Sequence, residues 1–172
     1  FSSPKCSLKT TKTPLTKYPK PRLVCSRLPS IQNEYSLLCR LYDTDMNEMS
    51  YYENISLLAY SPLAGGLLTG KYLNNEMPTD SRITRVSTIG DRVNKNAMKA
   101  VQEYMKISKK FNIHPVHLAL AFCTKRPFMG SVIFGATTDE QLDVVIKGLD
   151  VDLNDEIMKE ISLVYKNYAL TF

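Results

Sequence analysis

The feature that most constrains this chain is the run Leu57-Leu58-Ala59-Tyr60-Ser61-Pro62-Leu63-Ala64-Gly65-Gly66-Leu67-Leu68-Thr69-Gly70-Lys71-Tyr72. An apolar stretch of strand length, residues 55–60, passes directly into a loop of small residues that ends on a lysine. A continuous apolar strand is expected where both faces of a sheet are covered, as in parallel α/β folds. Those folds bind ligands at the carboxyl ends of their strands. This run places an aromatic face, a hydroxyl, backbone amides and a cation at that end. It therefore predicts a site for a phosphorylated, ring-bearing cofactor.

The flanking sequence agrees with that class. Residues 29–33 read as a short strand ending in Gln32-Asn33, followed by a turn and an acidic helix over 45–53 with Asp43 or Thr44 as its N-cap. The connection from Ser61 to about residue 90 is long for a compact domain, which marks it as functional. Residues 94–111 carry Met98, Val101, Met105 and Ile107 at helical spacing, and Pro115 opens a second helix over 115–124. Residues 131–134 read as another buried strand ended by Gly135-Ala136. Thr138-Asp139-Glu140-Gln141 has the form of a capping box for a helix reaching Lys147. A last helix over 154–165 keeps Leu153, Ile157, Ile161 and Val164 on one side. Strands alternating with helices imply parallel strands and crossover connections.

Charge and cysteine usage narrow the partners. Residues 1–30 hold seven Lys and Arg and no acid, whereas the remaining residues hold 15 basic against 17 acidic side chains. The basicity belongs to a Pro/Lys/Ser/Thr-rich leader, residues 1–27, read as disordered, and not to the domain over 28–172. The leader lacks the interleaved aromatics and groove-reading helix of a nucleic-acid binder. The longest uncharged stretch is broken by Ser, Pro and Gly, so no membrane span is expected. Cys6, Cys25, Cys39 and Cys123 form no CxxC pair, and with no signal peptide they read as reduced thiols in a cytoplasmic protein. His114 and His117 share a helix start with no third metal ligand nearby.

Three strand ends then converge on one edge, at Gln32, Tyr60-Ser61 and Gly135-Ala136-Thr137. Tyr60 offers a flat π face, and Gln32 an amide that both donates and accepts. Ser61 and the amides of residues 63–66 could cradle a phosphate. Thr137 and Thr138 open a helix whose N-terminus favours a second anion. Lys71, Arg82 and Arg85 supply cations. Each piece also has an ordinary reading: a core tyrosine, a turn with two glycines, solvated loop arginines. No catalytic set accompanies them. Tyr35 is a candidate proton donor without a lysine near it in sequence, and Asp139, Glu140 and Asp143 read as helix-surface charges.

Three motifs carry a family resemblance: Ser30-Ile31-Gln32-Asn33-Glu34-Tyr35-Ser36-Leu37-Leu38, the run 57–72, and Val132-Ile133-Phe134-Gly135-Ala136-Thr137-Thr138-Asp139-Glu140-Gln141-Leu142. In this order they resemble the aldo-keto reductase superfamily, in the branch with the β subunits of voltage-gated potassium channels and related reductases. The resemblance spans about residues 29–168. It implies the carboxyl-terminal portion of a TIM (β/α)8 barrel, about three of its eight strands, with NADP(H) as cofactor and a small-molecule carbonyl compound as substrate. By resemblance Tyr60 stacks on the nicotinamide and Gln32 bonds its carboxamide. Ser61, Leu63, Ala64 and Lys71 hold the pyrophosphate, Arg82 reaches the adenosine end, and Gly135, Thr137 and Gln141 surround the adenosine and its 2′-phosphate. Val145 stands where the family has an adenine-contacting asparagine.

The family's catalytic aspartate, tyrosine, lysine and histidine belong to the barrel half that this sequence does not match. A whole barrel takes about 250 residues, so three strands leave edges open to self-association. Three readings follow from the sequence. The chain is part of an NADPH-dependent carbonyl reductase, a catalytically inactive nucleotide-binding or regulatory module, or a truncated product without independent function.

Overall fold

The computed structural model describes residues 28–73, 79, 81–85, 92–148 and 150–172. The expectations for residues 1–27 and for the middle of the long connection lie outside the described residues. The chain order is β1 (Ser30–Glu34), α1 (Met46–Glu53), β2 (Ser56–Tyr60), α2 (Arg82–Arg85), α3 (Lys95–Lys110), α4 (Pro115–Thr124), β3 (Met129–Ile133), α5 (Asp139–Lys147) and α6 (Asp155–Asn167). Short 3-10 segments cover Leu41–Asp43 and Ala64–Thr69. The strands form one parallel sheet in the order β1-β2-β3, as the alternation of strands and helices requires.

Helix boundaries follow from local chemistry. The Asn94 side chain accepts from the N–H groups of Asn96 and Ala97, and Lys109 and Lys110 close α3 where the macrodipole favours cations. His114 Nδ1 accepts from Val116 N–H ahead of Pro115, which opens α4. Asn154 accepts from Ile157 N–H at the start of α6. The start of α1 departs from expectation, since its cap residue is Asp45 and makes no side-chain cap bond. Asp43 is occupied elsewhere: its carboxylate accepts from Tyr35 Oη, Arg40 Nε and Arg126 Nη2, each at 2.8 Å. Asn54, left-handed at φ 52°, ends the same helix.

One face of the sheet is covered and the other is open. Leu57 and Ala59 are fully buried, while Ser56 and Tyr60 on the opposite face are exposed. The covered face meets α3, α4 and α6 through Tyr104, Leu118, Phe122 and Ile161, in one continuous core with Tyr35, Leu37, Leu67 and Leu68. Each such side chain contributes roughly 1.5–3 kcal/mol by leaving water. A smaller cluster, Val116, Leu120 and Val145, joins α4 to α5.

The third strand differs from its expected form. It begins at Met129, ends at Ile133, and is largely exposed instead of buried. Its pairing with β2 slips between Leu57 and Leu58, so Met129 faces Leu57 while Ser131 faces Leu58. Gly130 is the extra residue of this bulge. A Cβ there would stand 2.7 Å from Ser56 Cβ, so only glycine fits. The strand is exposed because it is the last strand of the sheet among the described residues; Val132 packs toward α4, while Ser131 and Ile133 lie on the open face. No helix among the described residues is long and apolar enough to cross a membrane.

Candidate cofactor-binding site

Parallel register sets which side chains share the open face. Gln32 pairs with Leu58, which pairs on its other side with Ser131; two residues toward the carboxyl ends Glu34 pairs with Tyr60, which pairs in turn with Ile133. Gln32 and Tyr60 therefore lie on the same face, diagonal neighbours roughly 8 Å apart by strand spacing and rise. Tyr60 is 37% exposed and Gln32 is exposed, so the ring face and the amide are both accessible from the barrel-lumen side. Ile133 and Phe134 continue this exposed apolar rim at 42% and 38%.

The chain turns sharply after Tyr60. Ser61 (φ 55°) and Ala64 (φ 49°) adopt left-handed backbone, followed by Gly65 (φ 67°) and Gly66 (φ 97°). Left-handed non-glycine residues cost about 1–2 kcal/mol each, and they persist where surrounding packing fixes them. Here the fixing groups are Ala64, Leu67, Leu68 and Tyr72, all buried beneath the loop. Ala64 N–H donates to Ser61 O and Gly66 N–H to Leu63 O, so these two amides close turns instead of standing free toward a phosphate. Ala64 is wholly buried; Ser61 and Leu63 are half-buried at the rim.

Lys71 completes this cradle. Its side chain folds back so that Cε and Nζ lie 3.1 and 3.3 Å from where a Cβ of Gly66 would stand. Nζ also sits 5.0 Å above the Tyr72 ring. The absence of a side chain at Gly66 is what lets the cation rest over the loop. Arg82 lies at the exposed start of α2, which touches the Ala64–Thr69 segment. The Arg85 side chain lies outside the described residues.

The region after β3 is built differently. Gly135 is exposed, with nothing within 4 Å of a Cβ placed on it. Thr138 caps α5 by accepting from Gln141 N–H at 3.3 Å, while Gln141 Oε1 accepts from Thr137 N–H and Oγ1 at 3.1 and 3.2 Å. The capping box is thus shifted by one residue, with its reciprocal bond going to Thr137 instead of Thr138. A ligand anion here must displace Gln141 to reach the Thr137 amide. The Glu140 carboxyl is held below its ordinary value by its bond to Thr138.

Other candidates are placed away from chemistry. Tyr35 is fully buried, stacked on Phe122 at 5.8 Å and edge-on to Phe128 at 5.5 Å. Burial, then the Asp43 charge, raises its hydroxyl far above the ordinary tyrosine range, so it is a core residue and not a donor for substrate. His117 Nε2 bonds Val144 O at 2.7 Å and His114 serves as a helix cap. Asp139, Glu140 and Asp143 are exposed. Cys39 and Cys123 are free thiols. One pair went unread in the sequence: Arg92 donates to both carboxylate oxygens of Glu34, at 3.0 and 2.5 Å, across 58 residues. That separation leaves no local pattern to detect.

Comparison with known proteins assigns the class. The family model for the aldo/keto reductase family matches residues 26–166. The chain belongs to that family, and its sheet is three of the eight parallel strands of an incomplete α/β barrel. Among individual relatives, the Protein tas of Escherichia coli is 40% identical over 143 residues, covering 83% of this chain and 41% of that protein. A probable voltage-gated potassium channel subunit beta of Arabidopsis thaliana is 32% identical, covering 70% of this chain and 38% of its own. A solved glycerol dehydrogenase from Gluconobacter oxydans shares the fold at a TM-score of 0.67, with 22% identity over 84% of this chain and 44% of that one. The chain spans about four-tenths of the length of the curated relatives it matches.

Proposed function

We propose that this chain forms the nucleotide side of an NADP(H)-dependent carbonyl reductase. In that reading residues 28–172 are the reductase part, residues 1–27 a basic leader, and the setting is cytoplasmic. The observation that carries it is the pairing of an open Tyr60 face, with Gln32 on the same side, to a strained small-residue loop over which Lys71 is already folded. The residues present fit such a cofactor: a π surface for the ring, an amide two residues back on the neighbouring strand, and a cation beside a glycine that leaves room for phosphate.

The bound nicotinamide supplies the hydride for reduction of a small carbonyl compound. The residues of this chain bind and orient. Tyr60 presents a flat wall and Gln32 fixes the carboxamide. Ser61 and Leu63, with Lys71, hold the pyrophosphate, and Arg82 reaches the adenosine end. Gly135, Thr137 and Gln141 flank the adenosine and its 2′-phosphate. Proton donation to the carbonyl needs a group within hydrogen-bond reach of it. Among the described residues none stands at the rim in that role, and the reading assigns the proton to the barrel half that this sequence does not match. Among the described residues the outer edges of β1 and β3 pair with no further strand, which favours association with further strands or with a second copy.

Titration of the chain with NADPH and NADH tests this reading. With ten tyrosines and no tryptophan, quenching of the chain's tyrosine fluorescence reads nucleotide binding. NADPH is expected to bind weakly and Lys71→Met to weaken it about tenfold or more, since a hydrogen bond to a charged group contributes about 1.5–3 kcal/mol. The 172-residue chain alone is expected to show no NADPH-dependent aldehyde reduction. Steady turnover that disappears in Tyr60→Ala would overturn the assignment of the proton donor to other residues.

A further inference from the structure

The connection that leaves the sheet at Ser61 returns to it at Arg92, and both ends meet the same rim. Ser61 follows Tyr60; Arg92 grips Glu34, the register partner of Tyr60 on β1. A third segment joins them there. The Arg92 guanidinium lies 5.4 Å from the Phe172 ring centroid. Asn94, which caps α3 through Oδ1, uses Nδ2 to donate to the Thr171 carbonyl. Thr171 is buried, and its hydroxyl donates to Leu38 O at 2.8 Å, just beyond β1. Three distant stretches of chain are thus tied together beside the Tyr60 ring.

Among the described residues this pair shares its burial with Arg40–Asp43 and Arg126–Asp43, but it joins a guanidinium to both oxygens of one carboxylate and stands at the strand-end rim. The Glu34 and Arg92 side chains are only 13% and 20% exposed, against 71% and 38% for Lys106–Glu103 and 53% and 81% for Lys125–Asp152. Exposed pairs contribute little. Burying two charges is a poor route to net stability, because desolvation offsets the attraction; what a bidentate buried pair does supply is fixed geometry. Its location says which geometry is fixed: the return end of the ligand loop and the segment after α6, both against β1.

We propose that Glu34 and Arg92 are a positioning pair that holds the segment after α6 against the strand-end rim and so sets the wall beside the Tyr60 face. The positioning role rests on the reading of Tyr60 as the ring site; the tethering of the segment does not.

The test uses the full 172-residue chain as wild type, Arg92→Met, Glu34→Gln, and the swapped double variant Glu34→Arg/Arg92→Glu. Two quantities are read: hydrogen–deuterium exchange of the amides of residues 169–172, and NADPH affinity by tyrosine quenching. Both single variants are expected to speed exchange in that segment at least tenfold and to weaken NADPH at least fivefold, with α3 and α4 protection unchanged. The swapped pair is expected to return both quantities to within threefold of wild type. A merely stabilising contact would loosen the helices as well and would not be rescued by the swap. Exchange within twofold of wild type in both single variants overturns the proposal. So does faster exchange with NADPH affinity unaltered. If wild type binds neither NADPH nor NADH, the cofactor reading and the positioning role fail together, and swap-rescued exchange still establishes the tether.

Discussion

The loop after β2 and the turn after β3 leave the same edge of the sheet, yet the core supports only the first. Beneath residues 61–72 lie Ala64, Leu67, Leu68 and Tyr72, none more than 4% exposed. That packing holds two non-glycine residues in left-handed backbone and keeps Lys71 folded over Gly66. Gly135 to Asp143 is exposed throughout, and its polar groups satisfy one another through Gln141, Thr137 and Thr138. The difference teaches that one half of the rim is pre-shaped by burial, whereas the other is held only by local hydrogen bonds. A ligand gains geometry from the first and must compete with internal partners at the second.

The largest expected effect separates the two regions by stability. Leu68→Ala, under the β2 loop, removes a side chain 1% exposed and is expected to cost about 2–5 kcal/mol in urea unfolding. Leu142→Ala on α5, at 39% exposure, is expected to change stability by no more than about 0.5 kcal/mol. Equal losses at the two positions would erase the distinction.

A middle-sized effect concerns the cap. Thr138→Ala removes the acceptor for Gln141 N–H and is expected to cost about 1 kcal/mol. The change is expected as faster hydrogen exchange across α5, with the β2 loop unaffected. Slowed or unchanged exchange in α5 would show that something other than its cap fixes that helix.

The smallest effect is a pH dependence at the start of α4. Burial, and then the neighbouring His117, lower the pKa of His114, whose Nδ1 must stay unprotonated to accept from Val116 N–H. The unfolded chain therefore binds the proton first as pH falls. Stability is fully present above the unfolded value of about 6.5 and declines as pH drops from there through the lowered folded value. His114→Asn keeps an N-cap acceptor without titrating and is expected to flatten that slope. Unfolding curves from pH 7.5 to 5 that overlay for wild type and variant would refute this.

Much of the site was legible because it is local. The apolar run into Tyr60, the small-residue loop, Pro115 at a helix start and Thr138 three residues before Gln141 each impose backbone geometry on their own neighbours. Asp43 shows where local reading fails: it has a capping residue's chemistry, yet Tyr35, Arg40 and Arg126 claim its carboxylate. Edge exposure of β3 was equally invisible, because an apolar run looks the same in an edge strand as in a central one. Tyr35 could be weighed as a donor only until its burial was known.

The sequence by itself determined the order of strands and helices, the parallel class, the family resemblance and the residues gathered at the strand ends. Those rest on periodicity, caps and glycines, whose effects reach only a few residues along the chain. The tertiary structure decided which face of the sheet stays open, which loop is anchored from below, and that Glu34 meets Arg92. These depend on contacts between residues far apart in sequence, where burial and register settle the outcome.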